Sequence, residues 1–363
     1  MSKNKNQHYV PRCYLKPFTS GEGGLAINLL NLASGRIVRF APVKSQCSRD
    51  YFYGDSSELD RQIQVMEGTY SSVLRRIRPP KSAVNNADAF FLASFWMFQH
   101  LRTESMQRSI LNMASKFEKA AGMSVPEMQF GAKTATLIGL SAFAKSHSEI
   151  SDLNVVLVEN NTKLPFITSD NPAIKTNRWA FLKSESGSAN FGILSAGLIA
   201  LLPLSPMLQL VMYDKDVYSI PHDRRRLVVK SEWDVSALNQ LQMLNCLSNV
   251  YFSDGSLDEQ ICAAPEIDQR RAESGERVQV FRERLRGVDN TYYRASDGID
   301  LRKERGLFVT STYYPRPLSW PSFIKWRVRG FYYSNGSGVG QVRRDKAKNS
   351  AGYLPFARHP TGH

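Results

Sequence analysis

Residues 90–103 read Phe-Phe-Leu-Ala-Ser-Phe-Trp-Met-Phe-Gln-His-Leu-Arg-Thr, and this stretch decides the fold. Its first turns are apolar on nearly every side, which is typical of a helix buried in the centre of a domain. Asn86 or Asp88 could cap the helix, because a short polar side chain there accepts a hydrogen bond from the first free backbone N–H groups. The sequence therefore predicts a central core helix that begins near residue 86.

Helical periodicity surrounds this segment, and extended segments follow it. Apolar residues that recur every three or four positions predict helices; the expected helices are 58–78, 107–121, 126–146, one that begins at Asp234 or Ser236 and extends to Leu247, and a highly charged stretch over 266–286. Short apolar runs between turn residues predict strands; the expected strands are 26–32, 36–40, 153–158, 165–169, 193–202, 208–213 and 250–252.

The order of these segments indicates the fold class. Helices, then several strands joined by short turns, then a further helix are more typical of an α+β domain than of a parallel α/β domain. We expect a helical region packed on a mostly antiparallel sheet over residues 1–290. A basic, aromatic-rich C-terminal region or extension is expected over 291–363.

One uncharged stretch, 191–213, is long enough to cross a bilayer. Pro203 and Pro206 break its helical pattern, and Leu-Pro-Leu-Ser-Pro is typical of a turn between two buried strands. We therefore expect two strands of the core here and no association with a membrane.

Composition limits the function classes. The 363 residues are 42% hydrophobic and include only four cysteines, which excludes a collagenous, disulfide-stapled or wholly disordered chain. The cysteines form no C-x-x-C pair, so a reduced, cytoplasmic protein without a zinc site is expected. The sequence also lacks G-x-x-x-x-G-K, H-E-x-x-H and G-x-S-x-G motifs and any signature of an organic cofactor.

Most of the net charge lies near the C-terminus. Residues 301–363 contain twelve Lys and Arg residues against two acids, Glu304 and Asp345, a net +10 of the total +14. This concentration predicts a polyanionic partner that the C-terminal region contacts.

Aromatic residues alternate with these bases, a pattern that suits a groove for single-stranded nucleic acid, either DNA or RNA. The residues expected to bind nucleic acid are Arg316, Lys325, Trp326, Arg327, Arg329, Arg343 and Arg344. Residues 320–333 could also form a last β-hairpin whose Lys and Arg side chains merely face water. This interpretation is compatible with a nucleic-acid groove.

Three segments carry polar groups that packing explains poorly. In Gln-His-Tyr-Val-Pro-Arg-Cys-Tyr-Leu (7–15), His8 either points into a cleft or merely faces water. Arg102 ends the core helix and needs a carboxylate or phosphate partner; Glu67 on the preceding helix could supply a structural salt bridge. In Thr-Ser-Asp-Asn-Pro (168–172), a strand delivers Asp170 and Asn171 to its end, where they serve either chemistry or a local Asx-turn.

These segments together resemble a large bacterial family of unknown function, DUF4238. The resemblance covers about residues 4–255 and rests on Gln-His-Tyr-Val-Pro-Arg, Gln99-x-x-Arg102-Thr103, Phe-Ile-Thr-Ser-Asp-Asn-Pro (166–172), Pro-Leu-Ser-Pro (203–206) and Leu238-Asn239. Asp170 and Pro172 match the family's most characteristic pair. Its other typical polar positions correspond to His8, Glu67, Arg102, Asn171 and Asn239. Cys13 and Glu104 depart from the pattern, and the resemblance implies no activity.

The first functional hypothesis is a nucleic-acid-directed hydrolase, a metal-dependent nuclease such as a bacterial defence effector. The expected catalytic residues are His8, Arg102, Asp170 and Asn171. Glu67 and Asp170 would hold Mg²⁺ or Mn²⁺, His8 would take the proton of the attacking water, and Arg102 would neutralise the phosphate.

The second hypothesis is a non-catalytic nucleic-acid-binding or partner-docking protein, in which the polar groups form a buried network that fixes the fold. A third, hydrolysis or transfer on a small nucleotide, uses the same polar groups in a narrow pocket.

Overall fold

The helices and strands below come from a computed structural model that describes residues 5–21, 23–184, 186–253, 265–272, 274–286, 289–294, 305–335, 340–348 and 352–357. The helices in this part are α1 (Arg12–Leu15), α2 (Ser57–Ile77), α3 (Asn86–Leu101), α4 (Glu104–Ala121), α5 (Ala132–Ser146), α6 (Arg178–Leu182), α7 (Glu232–Asn245), α8 (Pro265–Arg271) and α9 (Arg344–Ala347).

The strands of the same part fall into three larger sheets and three two-stranded ribbons. They are β1 (Asn6–His8), β2 (Ala26–Asn31), β3 (Arg36–Pro42), β4 (Ser48–Asp50), β5 (Asn154–Asn160), β6 (Thr168–Ser169), β7 (Ile174–Thr176), β8 (Ser188–Asn190), β9 (Ile199–Ser205), β10 (Leu208–Tyr213), β11 (Tyr218–Ser219), β12 (Arg226–Val229), β13 (Asn249–Phe252), β14 (Gly275–Arg286), β15 (Asp289–Arg294), β16 (Gly306–Pro315), β17 (Lys325–Trp326), β18 (Phe331–Ser334) and β19 (Leu354–Ala357).

Helix α3 is the predicted core helix. The Asn85 side chain caps it by accepting from the Asp88 N–H, and the Asp88 carboxylate accepts from the Asn85 N–H in turn, so the cap lies one residue before Asn86. Phe95 and Trp96 are fully buried. The Trp96 indole N–H donates to the Leu201 carbonyl at 3.0 Å, which fixes α3 against the largest sheet.

The largest sheet has the order β12-β5-β10-β9-β7. Its pairs are antiparallel except β12 with β5. Strands β9 and β10 are buried along their whole length, so the uncharged stretch forms core strands as predicted, although the first strand begins at Ile199 and not at residue 193. No helix of the described residues is long and apolar enough to cross a membrane.

A second antiparallel sheet has the order β3-β2-β13-β6. The hairpin predicted over 26–40 supplies β2 and β3, and β13 pairs with β2 on one side and β6 on the other. This pairing sets the end of β6, and with it the Thr-Ser-Asp-Asn-Pro segment, beside the residues that precede β13.

The third sheet corrects one prediction. The charged stretch 266–286 is helical only as far as Arg271, and its residues 275–286 form β14. Gly275, with φ of +136°, begins the strand, and residues 275–282 pair antiparallel with β16. Interspersed charges also suit a strand with a solvated face, so composition did not separate the two structures.

The same sheet joins the C-terminal region to the rest of the molecule. Its order is β15-β14-β16-β8, and the boundary expected at residue 290 falls inside β15, which pairs with β14. Strand β17 pairs with β11, and the neighbouring Phe323 and Ile324 are buried in the core. The molecule is thus an α+β protein with helices packed on mostly antiparallel sheets, and its C-terminal strands β16 and β17 pair with strands from the earlier part of the chain.

Candidate functional site

Arg102, directly after α3, is the centre of a polar network. Its side chain is 0% exposed. Nε donates to the Tyr53 hydroxyl at 2.7 Å, and Nη2 donates to the His8 carbonyl at 2.6 Å and to Glu67 Oε1 at 2.9 Å. The guanidinium also lies 4.5 Å from the centroid of the Phe98 ring. The predicted Glu67–Arg102 salt bridge is therefore present.

This network forms one wall of a cleft of about 290 Å³, here called the N-terminal cleft. Strand β1 supplies His8, α1 supplies Arg12, and α2 supplies Asp60, Gln64 and Glu67. Residues at steps of four and three share one face of a helix, so these three side chains point the same way. Three of the predicted site residues, His8, Glu67 and Arg102, come together here although the sequence separates them.

His8 is the group in this cleft suited to proton transfer. Burial lowers its pKa from the ordinary 6.5, the nearby Arg12 and Arg102 lower it further, and hydrogen bonding to the backbone of Lys44 and Val43 opposes the shift. The imidazole is therefore neutral near pH 7, with a lone pair on one ring nitrogen.

Two buried polar atoms of this wall stand out. His8 Nε2 and Arg102 Nη1 have no hydrogen-bond partner among the described residues. Leaving such an atom unsatisfied costs about 1–3 kcal/mol, so native proteins retain few of them, often at functional sites.

Asp170 does not line the N-terminal cleft. Its Oδ1 accepts a hydrogen bond from the Leu247 N–H, and its Oδ2 accepts from the N–H groups of Ser248 and Asn249, each at 2.8 Å. Burial raises the pKa of Asp170 to about 6, against the effect of these three donors. Both oxygens of Asp170 bond the turn between α7 and β13, so the structure does not bring Asp170 together with His8 and Arg102. The Asx-turn alternative expected local backbone partners, whereas the partners found are Leu247, Ser248 and Asn249.

Asn171 is likewise held by structure. Its Oδ1 accepts from the Thr103 hydroxyl at 3.2 Å, and its Nδ2 donates to the Asn245 carbonyl at 2.8 Å. It lines a different and larger cleft of about 620 Å³, here called the central cleft. Asn239 bonds the backbone of Pro165 and Ile167, and so holds the segment that leads into β6.

The two predicted metal ligands, Glu67 and Asp170, are not brought together. Glu67 is engaged by Arg102, and both Asp170 oxygens are occupied in a separate environment. Within the residues that the structure describes, no three His, Cys, Asp or Glu side chains are grouped so that they could hold an ion. We therefore derive no step through Mg²⁺ or Mn²⁺ at these residues.

Three of the arginines that were predicted to contact nucleic acid bond other residues of the same chain. Arg343 is 2% exposed and donates to both oxygens of Asp152, at 2.8 and 3.0 Å. Arg316 donates to the carbonyls of Phe181 and Ser184, and Arg344 pairs with Asp216 at 3.0 Å. These three arginines join the C-terminal region to the body of the protein, and their contact with nucleic acid stays a prediction.

The other predicted contacts lie together at β17. Lys325, Arg327 and Arg329 are exposed, and we refer to them as the β17 patch. Trp326 between them is half-buried, with the Arg178 guanidinium 4.9 Å from its ring centroid. The part of the predicted nucleic-acid surface that faces solvent thus consists of three basic side chains at alternate positions and one tryptophan.

Sequence reasoning missed other members of the N-terminal cleft. Tyr53 accepts the Arg102 Nε–H, and Gln7 bonds both the Tyr53 N–H and Asp60 Oδ1. Asp60, Gln64 and Glu67 share one face of α2, and this spacing was the sequence signal that could have predicted that they line the cleft together. Tyr53 lies in an irregular segment between β4 and α2, so no periodic pattern pointed to it.

The fold and these hydrogen bonds define an α+β protein in which a buried arginine at the end of a core helix binds the backbone of the N-terminal strand. More particularly, the chain belongs to the family described as Protein of unknown function (DUF4238), whose model matches residues 6–256. The resemblance seen in the sequence is thereby confirmed. Neither a curated protein nor a solved structure matches the chain.

Proposed function

We propose that this protein is a nucleic-acid-directed phosphodiesterase that acts by proton transfer in the N-terminal cleft. His8 is the general base, and Arg102 with Arg12 supplies positive charge for the phosphate. The observation that carries the proposal is the neutral His8 imidazole beside the buried Arg102, each with one polar atom that lacks a protein partner.

Hydrolysis of a phosphodiester by this cleft requires a proton acceptor and positive charge beside the phosphate. His8 takes a proton from the attacking water, whose oxygen forms a bond to phosphorus. The P–O ester bond breaks, and the imidazolium returns the proton to the leaving oxygen. Guanidinium groups next to the phosphate stabilise the negative charge that develops on its oxygens.

The first test replaces His8 by Gln. Arg102 bonds the backbone carbonyl of His8 and not its ring, so His8→Gln removes the proton acceptor and keeps the network. We expect cleavage of single-stranded RNA or DNA to fall at least about 100-fold with an unchanged Tm. The exposed His222→Gln is the matched control. No cleavage of RNA, DNA or tRNA by the parent protein, with or without Mg²⁺ or Mn²⁺, would defeat the proposal.

The pH profile gives a second readout of the same role. A general base acts only when it is unprotonated, so kcat/KM should fall as the pH drops through the pKa of His8. Because burial and two arginines lower that pKa, we expect the fall below pH 6.5. A fall centred above pH 6.5 would point to a different base.

The β17 patch is the proposed contact for the substrate chain. We expect the triple variant Lys325→Glu, Arg327→Glu, Arg329→Glu to weaken binding of single-stranded RNA at least tenfold. Its salt dependence should fall by a slope of about 2, since each lost phosphate contact on a single strand accounts for about 0.7. The same charge change at the exposed Lys119, Lys145 and Lys163 is the control. Equal losses in the two variants would exclude a specific patch.

The alternative is a non-catalytic nucleic-acid-binding or partner-docking protein, and one observation favours it. Arg102 ties the backbone of His8 and the hydroxyl of Tyr53 together, so the network fixes the N-terminal strand whether or not a reaction occurs. Binding of RNA that depends on the β17 patch, with no cleavage of any substrate, would support this function.

A further inference from the structure

A third cleft, beside the N-terminal cleft, is lined by three basic side chains. Its volume is about 980 Å³, and we call it the basic cleft after Lys16, Arg75 and Arg78. Among the residues that the structure describes, no Asp or Glu lines it. The three side chains are exposed, and within the described part of the chain none of them forms an ion pair. Three unpaired cations around one cleft create a positive potential there, which favours an anionic ligand.

The basic side chains come from two elements, so the dipole of one helix does not explain all of them. Arg75 and Arg78 lie at the C-terminal end of α2, where a base stabilises the helix whether or not a ligand binds. Lys16 lies in the short 3-10 turn that follows α1. A Cβ atom on Gly24 would lie 3.0 Å from Lys16 Cγ, so this glycine leaves room for the lysine stem at the cleft. The positive charge is thus gathered at the cleft and is not confined to a helix end.

The basic cleft adjoins the N-terminal cleft. Cys13 lines both of them. The two clefts also share one face of α2, because their α2 residues follow one another at steps of three and four; along this face lie Asp60, Gln64, Glu67, Ser71, Leu74 and Arg78. Glu67 and Arg78 are eleven residues apart, or about 16 Å along the helix axis. A ligand that lies along α2 and is longer than a single nucleotide can therefore contact both clefts.

Apolar groups lie next to the charges of the basic cleft. Leu74 is buried, and the rings of Pro17, Pro79 and Pro80 line the cleft with it. Cations beside apolar surface suit a ligand in which negative charges alternate with uncharged rings, as phosphates alternate with sugars and bases in a nucleic acid. Inorganic phosphate alone would leave most of this volume unfilled.

We infer that the basic cleft binds the phosphate backbone of a single-stranded nucleic acid, which continues along α2 from the phosphate that reacts in the N-terminal cleft. This inference rests on the proposed function and adds the path of the substrate beyond the reacting group. The Arg75 and Arg78 guanidinium groups donate to phosphate oxygens, and the Lys16 ammonium neutralises a further phosphate. The basic cleft is thus a substrate contact in addition to the β17 patch.

The first test measures binding in the His8→Gln protein, so that cleavage does not disturb the result. The probe is fluorescent single-stranded RNA of about 12 nucleotides, followed by anisotropy. We expect the triple variant Lys16→Gln, Arg75→Gln, Arg78→Gln to raise the Kd at least about tenfold with an unchanged Tm, because all three side chains are exposed. The slope of log Kd against log salt should fall by about 2, at about 0.7 for each lost phosphate contact.

The control variant loses the same charge elsewhere on the surface, at the exposed Lys119, Lys145 and Lys163, each replaced by Gln. Equal losses of RNA binding in the two variants would overturn the inference. Binding of poly-glutamate that is as tight as that of RNA, and that depends equally on Lys16, Arg75 and Arg78, would also overturn it in favour of an acidic protein partner.

Substrate length separates this inference from the proposed function. A dinucleotide places its one phosphodiester in the N-terminal cleft, whereas the longer strand also reaches the basic cleft. With His8 intact, the Lys16, Arg75 and Arg78 triple variant should lower kcat/KM at least about tenfold for the longer strand and change it less than about twofold for a dinucleotide. An equal fall for both lengths would contradict the inference. Absence of cleavage by the parent protein would defeat the proposed phosphodiesterase, and the binding comparison would then decide the role of the basic cleft.

Discussion

The carboxylate of Asp170 accepts hydrogen bonds from three consecutive N–H groups, those of Leu247, Ser248 and Asn249. These groups lie between the end of α7 and the start of β13, where the chain turns and the backbone donors have no ladder partner of their own. One side chain therefore takes the place of three backbone acceptors and joins β6 to the turn beside it.

We predict that Asp170→Asn lowers the free energy of unfolding by about 3 kcal/mol at pH 8. The amide keeps the size of the side chain, but it turns one acceptor oxygen into a donor that faces N–H groups, and each buried donor left unsatisfied costs about 1–3 kcal/mol. Urea denaturation measures the loss. Asp50→Asn, at an exposed pair with Lys5, should stay within about 0.5 kcal/mol and is the control. A loss of the same size at both positions would show that the three hydrogen bonds contribute little.

At the scale of elements, Arg343 is the most buried of the charged side chains that join α9 and β18 to the body. Arg343 donates to both oxygens of Asp152, in the segment before β5, and to the Glu149 carbonyl. The flanking Val342 forms bridges with Ser195 and Tyr333. A short helix such as α9 has little stability alone, so this anchor determines whether the segment is ordered.

Arg343→Met should therefore destabilise the protein by about 3–5 kcal/mol, because the buried Asp152 carboxylate loses both of its short hydrogen bonds and keeps only the Lys346 ammonium at 4.0 Å. Amide hydrogen exchange should accelerate first in α9 and β18. The double variant Arg343→Met, Asp152→Leu should recover most of the loss, since the uncompensated charge is gone. Lys348→Met, at an exposed pair with Asp345, is the control. No recovery in the double variant would mean that Asp152 is not the partner that matters.

At the scale of the whole molecule, the sequence predicted the elements whose structure depends on residues within a single segment. The core helix, the hairpin over 26–40 and the buried strands of 191–213 follow from periodicity and turn residues within each segment. The N-terminal cleft does not, because His8, Glu67 and Arg102 meet only after three separate elements have packed. Asp170 could be recognised as a polar residue at a strand end, but its partners lie more than seventy residues further along the chain.

The C-terminal region shows the same limit. Its charge and aromatic content were visible in the sequence, but the pairing that makes β16 the strand between β14 and β8 was not. Composition suggested a separate basic extension. In the structure β16 pairs with β14 and β8, β17 pairs with β11, and Phe323 and Ile324 are buried in the core.

A chain that ends at residue 290 should consequently fail to fold cooperatively. It lacks β16, which leaves β8 and β14 without their shared partner, and it lacks two core side chains whose burial stabilises by about 1.5–3 kcal/mol each. Losses of this size approach the whole stability of a typical domain, about 5–15 kcal/mol. Thermal melting followed by circular dichroism should show no sharp transition for residues 1–290, whereas a chain that ends at residue 357 should melt like the full protein. A cooperative melt of the shorter chain near the full-length Tm would restore the boundary at 290 and make the C-terminal region dispensable for the fold.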